Sequence, residues 1–267
     1  MATHNQLTVV AIYGHNDGAG ALPSLSRSLA ELPGSRGLLL SVSRPEGLPG
    51  NVRWRQVDRL SYQQYSLFCM HALQNFIETD FCLVVQEDGW VLDGRNWQDE
   101  FYEYDYIGAP CHAARVGERY YSNFTWIDLP NPIIVQNGGF SLRSRKFLTT
   151  PSGNGVMYLF YKVQPFCNED VQLTCLLRPR LEELGIRYAP VELAKRFSVE
   201  YMGPRIHGDI DFGKLLGHHA PTRKLTGEHH VSCRQSLAQA KETYRELEFL
   251  DYLQRTGYTV EYVEAAP

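Results

Sequence analysis

The chain has 267 residues, of which 43% are hydrophobic, and a formal net charge of −4. That is enough apolar material for a sizeable core, near the upper limit for one domain. The acidic balance argues against a nucleic-acid binder, which usually shows a basic excess. No stretch approaches the roughly 20 apolar residues that span a bilayer.

Residues 7–13 (LTVVAIY) form a continuous apolar run rich in β-branched side chains and read as a buried parallel strand. A loop, GHNDG, follows at its carboxyl end. Residues 22–32 carry helical spacing and stop at Pro33-Gly34. Residues 37–42 and 52–57 read as strands, and 61–78 as a long helix with Ser61 as its N-cap. Residues 81–85 are the next buried strand. This β-α-β-β-α-β order predicts an α/β layered fold with a mostly parallel sheet flanked by helices. Ligands in such sheets gather at the carboxyl ends of strands, so the loops after Tyr13 and Val85 come first.

The second half is less regular. Residues 111–131 read as a long aromatic loop, the kind that often serves as a lid. Residues 170–184 read as a helix, 197–201 as a short strand, 203–227 as irregular, and 231–255 as a helical tail able to dock a partner chain. No repeat, low-complexity segment or linker appears, so one domain over residues 1–267 is expected. The six cysteines lack CxxC spacing, which disfavours a zinc ribbon or a redox motif. With no visible signal peptide, a reduced, cytoplasmic protein is the expectation.

Four segments carry candidate chemistry. In VQNGGFSLRSRKF (135–147), Gly138 and Gly139 permit close approach of backbone or ligand, and Arg143, Arg145 and Lys146 offer charge to an anion. A glycine turn before a strand would look the same. In Gln86-Glu87-Asp88-Gly89, acids at a strand end can hold a divalent cation through hard oxygen ligands; a strand-ending turn with exposed acids is the plain alternative. Asn168-Glu169-Asp170 opens a helix, where acids favour the helix dipole but also offer a carboxylate base. Among the late histidines (His207, His218, His219, His229 and His230), His218 or His219 suits a metal ligand completing a site begun by Asp88. A fifth segment, Tyr104 to Pro110 (YDYIGAP), suits a bend beside a pocket, with Asp105 able to satisfy buried backbone donors.

Taken together, QEDGW, YDYIGAP, NGGFSLRSRKF, NEDVQL and APVELAKRFSVE resemble a family of GT-A-type glycosyltransferases long catalogued as a domain of unknown function. More distantly, the layout is similar to β-1,4-galactosyltransferases. The resemblance implies a GT-A-like, Rossmann-like domain. Residues 1–110 would be its nucleotide-sugar-binding half, 111–230 its acceptor and catalytic half, and 231–267 a helical tail. It implies Asp170 as catalytic base with Glu169 beside it, and Gly138 and Gly139, with Asn137, along the donor sugar. Asp88 with His218 or His219 would hold Mn²⁺ or Mg²⁺. Tyr13 and Gly14 would lie at the nucleoside, and Glu87 would compensate for Gln86, which stands where the first acid of an Asp-X-Asp motif belongs. The implied reaction is sugar transfer from a nucleotide-diphosphate sugar to a hydroxyl acceptor, a glycan in polysaccharide or lipopolysaccharide assembly, with inversion. A noncatalytic sugar- or nucleotide-binding module is the alternative that Gln86 supports. A metal-dependent nucleotidyltransferase is a further one, disfavoured because no GxxxxGK[ST] loop is present.

Overall fold

Every residue of β1 (Leu7–Tyr13) is buried, as a continuous apolar run flanked by strands on both sides requires. The computed structural model describes residues 3–115, 121–123, 132–162 and 166–263. Among these, β2 (Arg36–Ser41), β3 (Val52–Gln56) and β4 (Phe81–Val84) join β1 in the parallel order β3-β2-β1-β4. A short β5 (Gly89–Val91) leaves this sheet, which continues instead with β6 (Tyr106–Arg115), β7 (Tyr121–Asn123) and β8 (Ile133–Ser144). β8 lies antiparallel between β4 and β6, so β6 again points the same way as β1 to β4. The seven-stranded sheet is therefore mostly parallel in direction, and the expected α/β class is the one observed.

Helix α1 (Leu22–Glu31) buries Leu25 and Leu29 against β1, and Gly34 (φ +86°) turns the chain into β2. Ser61 caps α2 (Tyr62–Leu67) in a reciprocal capping box with Gln64, as its sequence position predicts. The expected single helix over 61–78 is instead broken. After α2 the chain widens into a π-helical turn, Phe68–Ala72, then tightens into a 3-10 turn, Leu73–Asn75. Cys69 and Leu73 thereby face the sheet, while Met70 packs with Tyr106 and Phe147 in a different cluster.

The glycine pair lies within the twelve-residue β8, not in a turn before a strand. α3 (Arg145–Gly153) follows directly. The helix expected over 170–184 splits into α4 (Glu169–Val171), a π-helical turn Gln172–Leu176, and α5 (Arg178–Glu183). Pro179 lacks the N–H that would carry one continuous helix through. The expected loop over 111–131 is partly a β-ribbon, because β6 runs to Arg115 and pairs with β7. Residues 116–120 and 124–131 of that expectation lie outside the described residues.

α6 (Val191–Phe197) leads into β9 (Ser198–Val199), and α7 (Pro204–His207) follows. The stretch 203–227, expected to be irregular, also contains β10 (Gly217–His219) and β11 (Arg223–Leu225). The tail begins as a strand, β12 (His230–Cys233), before α8 (Leu237–Glu242), α9 (Glu246–Arg255) and β13 (Thr259–Glu261). Its apolar residues Ala240, Phe249, Leu250 and Leu253 are spent on a second core with Trp90, Phe212 and Val231 of the same chain. All six cysteines are buried and unbridged. Among the described residues no helix is long and apolar enough to cross a membrane.

β6 meets β8 with irregular register between Gly108 and His112. A Cβ on Gly108 would stand 2.0 Å from the Asn137 carbonyl oxygen, which is backbone and cannot step aside. Gly108→Ala is therefore expected to cost about 1–3 kcal/mol or more in urea unfolding. A wild-type midpoint for this variant would show that the strands can spread at this point.

Candidate active site

The site forms where the carboxyl end of β4 meets a second, three-stranded sheet, β5-β10-β9. β10 pairs antiparallel with β5, placing His219 opposite Gly89, and parallel with β9, placing His218 opposite Val199. Asp88 just before β5 and Glu200 just after β9 thus come to either side of His219. Backbone bonds from Ala220 N–H to the Asp88 carbonyl (2.9 Å) and from Leu225 N–H to the Glu87 carbonyl (2.9 Å) stitch the turn to the late strands.

His219 Nε2 lies 3.2 Å from Asp88 Oδ1 and 3.2 Å from Gln86 Oε1. Its Nδ1 lies 3.3 Å from Glu200 Oε1. Burial alone would discharge the ring, but Asp88 and Glu200 outweigh it and push its pKa up to about 10. Asp88 is shifted the other way: burial opposes its charge, and His219 more than compensates, lowering its pKa. Gln86 is fixed in turn by its amide, which donates to Tyr65 Oη at 3.0 Å.

Across the glycine pair stands the second acidic group. Asp170 Oδ2 accepts from Gly138 N–H (3.2 Å) and Oδ1 from Val171 N–H (2.7 Å). Burial, then the nearby Glu169 and Glu200 carboxylates, push its pKa up to about 7. That value suits a proton acceptor near neutral pH. Glu169 is held by an arginine. Its Oε1 accepts from Arg143 Nη2 at 2.9 Å, and the Arg143 side chain is fully buried.

The other residues expected at the site lie as follows. The space over Gly138 and Gly139 is filled by protein: a Cβ would meet Glu169 Oε1 at 2.2 Å and His219 Nε2 at 2.3 Å, respectively. Their missing side chains let the two halves of the site close on each other. Asn137 Oδ1 is spent on the N–H groups of Gly139 and Phe140 (2.7 and 3.1 Å). Glu87 does not join Asp88. It pairs with Lys224 (2.9 Å) and Arg234 (2.8 Å) on the outer side of the turn. His218 points to the opposite strand face, with Trp90 and Phe249 rings 4.0 and 5.1 Å from its own. There both ring nitrogens lack a hydrogen bond, and burial, reinforced by Arg223, drives its pKa well down. His207 is occupied by the Gly203 N–H at 3.0 Å. Arg143 does face an anion, but that anion is Glu169.

Tyr13 is buried, and its Oη accepts the Glu87 N–H at 3.1 Å, tying β1 to the site turn. Gly14 faces Leu60, whose side chain fills the space a Cβ would take. Asp105 satisfies a backbone donor as anticipated, accepting the Arg187 N–H at 2.9 Å. Glu200 was not singled out from sequence. Its signal was an acid directly after a short apolar strand, in FSVE. A cavity of about 420 Å³ lined by Thr8, Arg36, Asn51, Arg53 and Glu78 lies at the amino ends of β1 to β3, the far end of the sheet from Asp88.

The profile of a family described as a protein of unknown function, DUF5672, matches residues 55–214, and the chain belongs to that family. No curated protein matches it. Among solved structures it is similar to the galactosyltransferase LgtC in complex with donor and acceptor sugar analogs, at 14% identity and TM-score 0.47, covering 98% of this chain and 97% of that one. An active-site mutant of LgtC is similar at 14% identity and TM-score 0.45, with 96% and 97% covered. The apo-form glycosyltransferase GlyE of Streptococcus pneumoniae TIGR4 is similar at 12% identity and TM-score 0.42, with 80% of this chain and 54% of that one covered.

Proposed function

We propose that this chain is a GT-A-type glycosyltransferase that moves a sugar from a nucleotide-diphosphate sugar to a hydroxyl acceptor with inversion. One observation carries the reading: Asp88, Gln86 and His219 converge at the carboxyl end of β4, with the carboxylate of Asp170 across the glycine pair. The motif resemblance over residues 80–220 points the same way.

The donor set would take a divalent cation in exchange for the His219 Nε2 proton, since a ligating imidazole must be neutral. Asp88 Oδ1 is buried 3.2 Å from the imidazole Nε2, and Gln86 offers a neutral oxygen beside it. Among the described residues no group of three or more His, Cys, Asp or Glu side chains is arranged around one ion. Mg²⁺ on a nucleotide is usually held by one or two carboxylates together with phosphate oxygens and water. Asp88 and His219 would hold the ion, which when bound neutralises charge on the departing diphosphate. Asp170 takes the proton of the acceptor hydroxyl as its oxygen bonds to the anomeric carbon and the bond from that carbon to the diphosphate breaks.

A panel of nucleotides and nucleotide sugars, with and without Mn²⁺, tests this in a thermal-shift assay. A ligand at a hundredfold excess over its Kd adds about 2.7 kcal/mol, which is several degrees for a chain of this size. We expect one nucleotide family to raise Tm, more so with Mn²⁺, and Asp88→Ala to abolish the Mn²⁺ increment. An unchanged increment in that variant rejects the ligand assignment. Gln86 in place of an acid is the observation that favours a noncatalytic binding module, which would give the same shifts without turnover.

A further inference from the structure

The motif APVELAKRFSVE ends at Glu200, and the reading above gives that residue no task. β9 brings it alongside His219 by register, since Val199 is the partner of His218. Its side chain is only 8% exposed, and its Oε1 sits 3.3 Å from His219 Nδ1, at ion-pair distance but outside hydrogen-bond geometry. The other ring nitrogen faces Asp88 and Gln86, and the ring packs on Gly139, where no Cβ fits. The imidazole is thus fixed by groups from three separate segments, with Glu200 behind it. A carboxylate this buried is costly unless it is paired.

We propose that Glu200 is a positioning residue of the donor site: it accepts the His219 Nδ1–H and holds the ring so that Nε2 is presented beside Asp88 to the cation–diphosphate group. The inference rests on the donor-site reading above. Partners of this kind behind a ligating imidazole typically change metal affinity by about 10–100-fold. Cys111 also lies against Glu200, so a purely structural role is the competing account. That role would lower stability without changing the affinity of folded protein for metal.

The test is calorimetric titration of Mn²⁺ into the full chain with UDP, GDP, CDP or ADP present in turn. Glu200→Leu is expected to weaken Mn²⁺ binding about 10–100-fold. Glu200→Gln keeps an acceptor oxygen and should stay within a few-fold of wild type. Glu200→Asp keeps the charge but withdraws the acceptor, and should fall between them. Wild-type affinity in Glu200→Leu overturns the proposal. Should that variant not fold, the other two decide: Gln tighter than Asp supports positioning, and the reverse order overturns it. Wild-type protein that binds no Mn²⁺ with any nucleotide rejects the donor-site reading and this proposal with it. Binding by wild type that the variants share rejects only the role of Glu200.

Discussion

Asp170→Asn is expected to lower kcat by about 10²–10⁴-fold while leaving nucleotide-sugar binding near wild type. The substitution preserves shape and one acceptor oxygen, so Val171 or Gly138 N–H remains partly satisfied. What it removes is the only function an amide cannot perform, which is to take a proton. The same residue sets a pH dependence. Because burial and the neighbouring Glu169 and Glu200 hold its pKa up near 7, turnover should rise with pH through about 7 and level off above. One unit below that value, roughly a tenth of the plateau is expected, since only the ionised fraction works as base. The stability contribution runs the opposite way. The folded state holds a proton that the unfolded chain sheds above its ordinary value of 3.8, so this group's contribution is full below 3.8 and is lost as pH rises through about 7. Single-turnover rates and donor titration on the same variant separate chemistry from binding. Near-normal turnover in Asp170→Asn would remove the residue from the mechanism.

Arg143→Met should cost about 3–5 kcal/mol, the largest stability effect expected of a side chain near the site. Its guanidinium is fully buried and donates to Glu169 at 2.9 Å, to the Gly138 carbonyl at 3.2 Å and to Ser141 Oγ at 3.0 Å. Removing it strands the Glu169 carboxylate in the interior beside Asp170. Breaking a buried pair costs more than replacing it, so Arg143→Met combined with Glu169→Met should recover much of the loss. Urea unfolding of both single variants and of the double variant measures this cycle. A double variant no more stable than Arg143→Met would show that the pair is not the source of the cost. Because β8 carries both Arg143 and Gly138, the pair also holds the N–H that donates to Asp170, so stability and turnover should fall together in the single variant.

Local chemistry made much of the parallel half legible. The all-apolar run of β1, the Ser61 cap and the β-α-β order need only neighbouring residues to specify them, and the structure matches them closely. The two long helical stretches bend where spacing alone predicts continuity. The π-helical turns at Phe68–Ala72 and Gln172–Leu176 answer to packing between clusters that lie far apart in sequence. Helical spacing from residue 231 onward predicts one amphipathic helix for the tail. It breaks at Arg245 (φ +55°), and Leu237 and Tyr244 remain largely exposed.

Chain order alone sets which residue types stand at the strand ends: an acid after β4, an acid pair opening α4, two glycines in β8 and adjacent histidines in β10. It did not determine which member of each pair enters the site. Neighbours in a strand point to opposite faces, and only the pairing partners say which face is the site and which is core. Register chose His219 over His218 and put Glu200 behind it. Ion pairing drew Glu87 toward Lys224 and Arg234, leaving Asp88 to His219. Likewise, burial of Arg143 claimed Glu169 and left Asp170 as the carboxylate whose proton affinity is raised, because the pairing energy of a buried charge depends on groups that meet only in the folded chain.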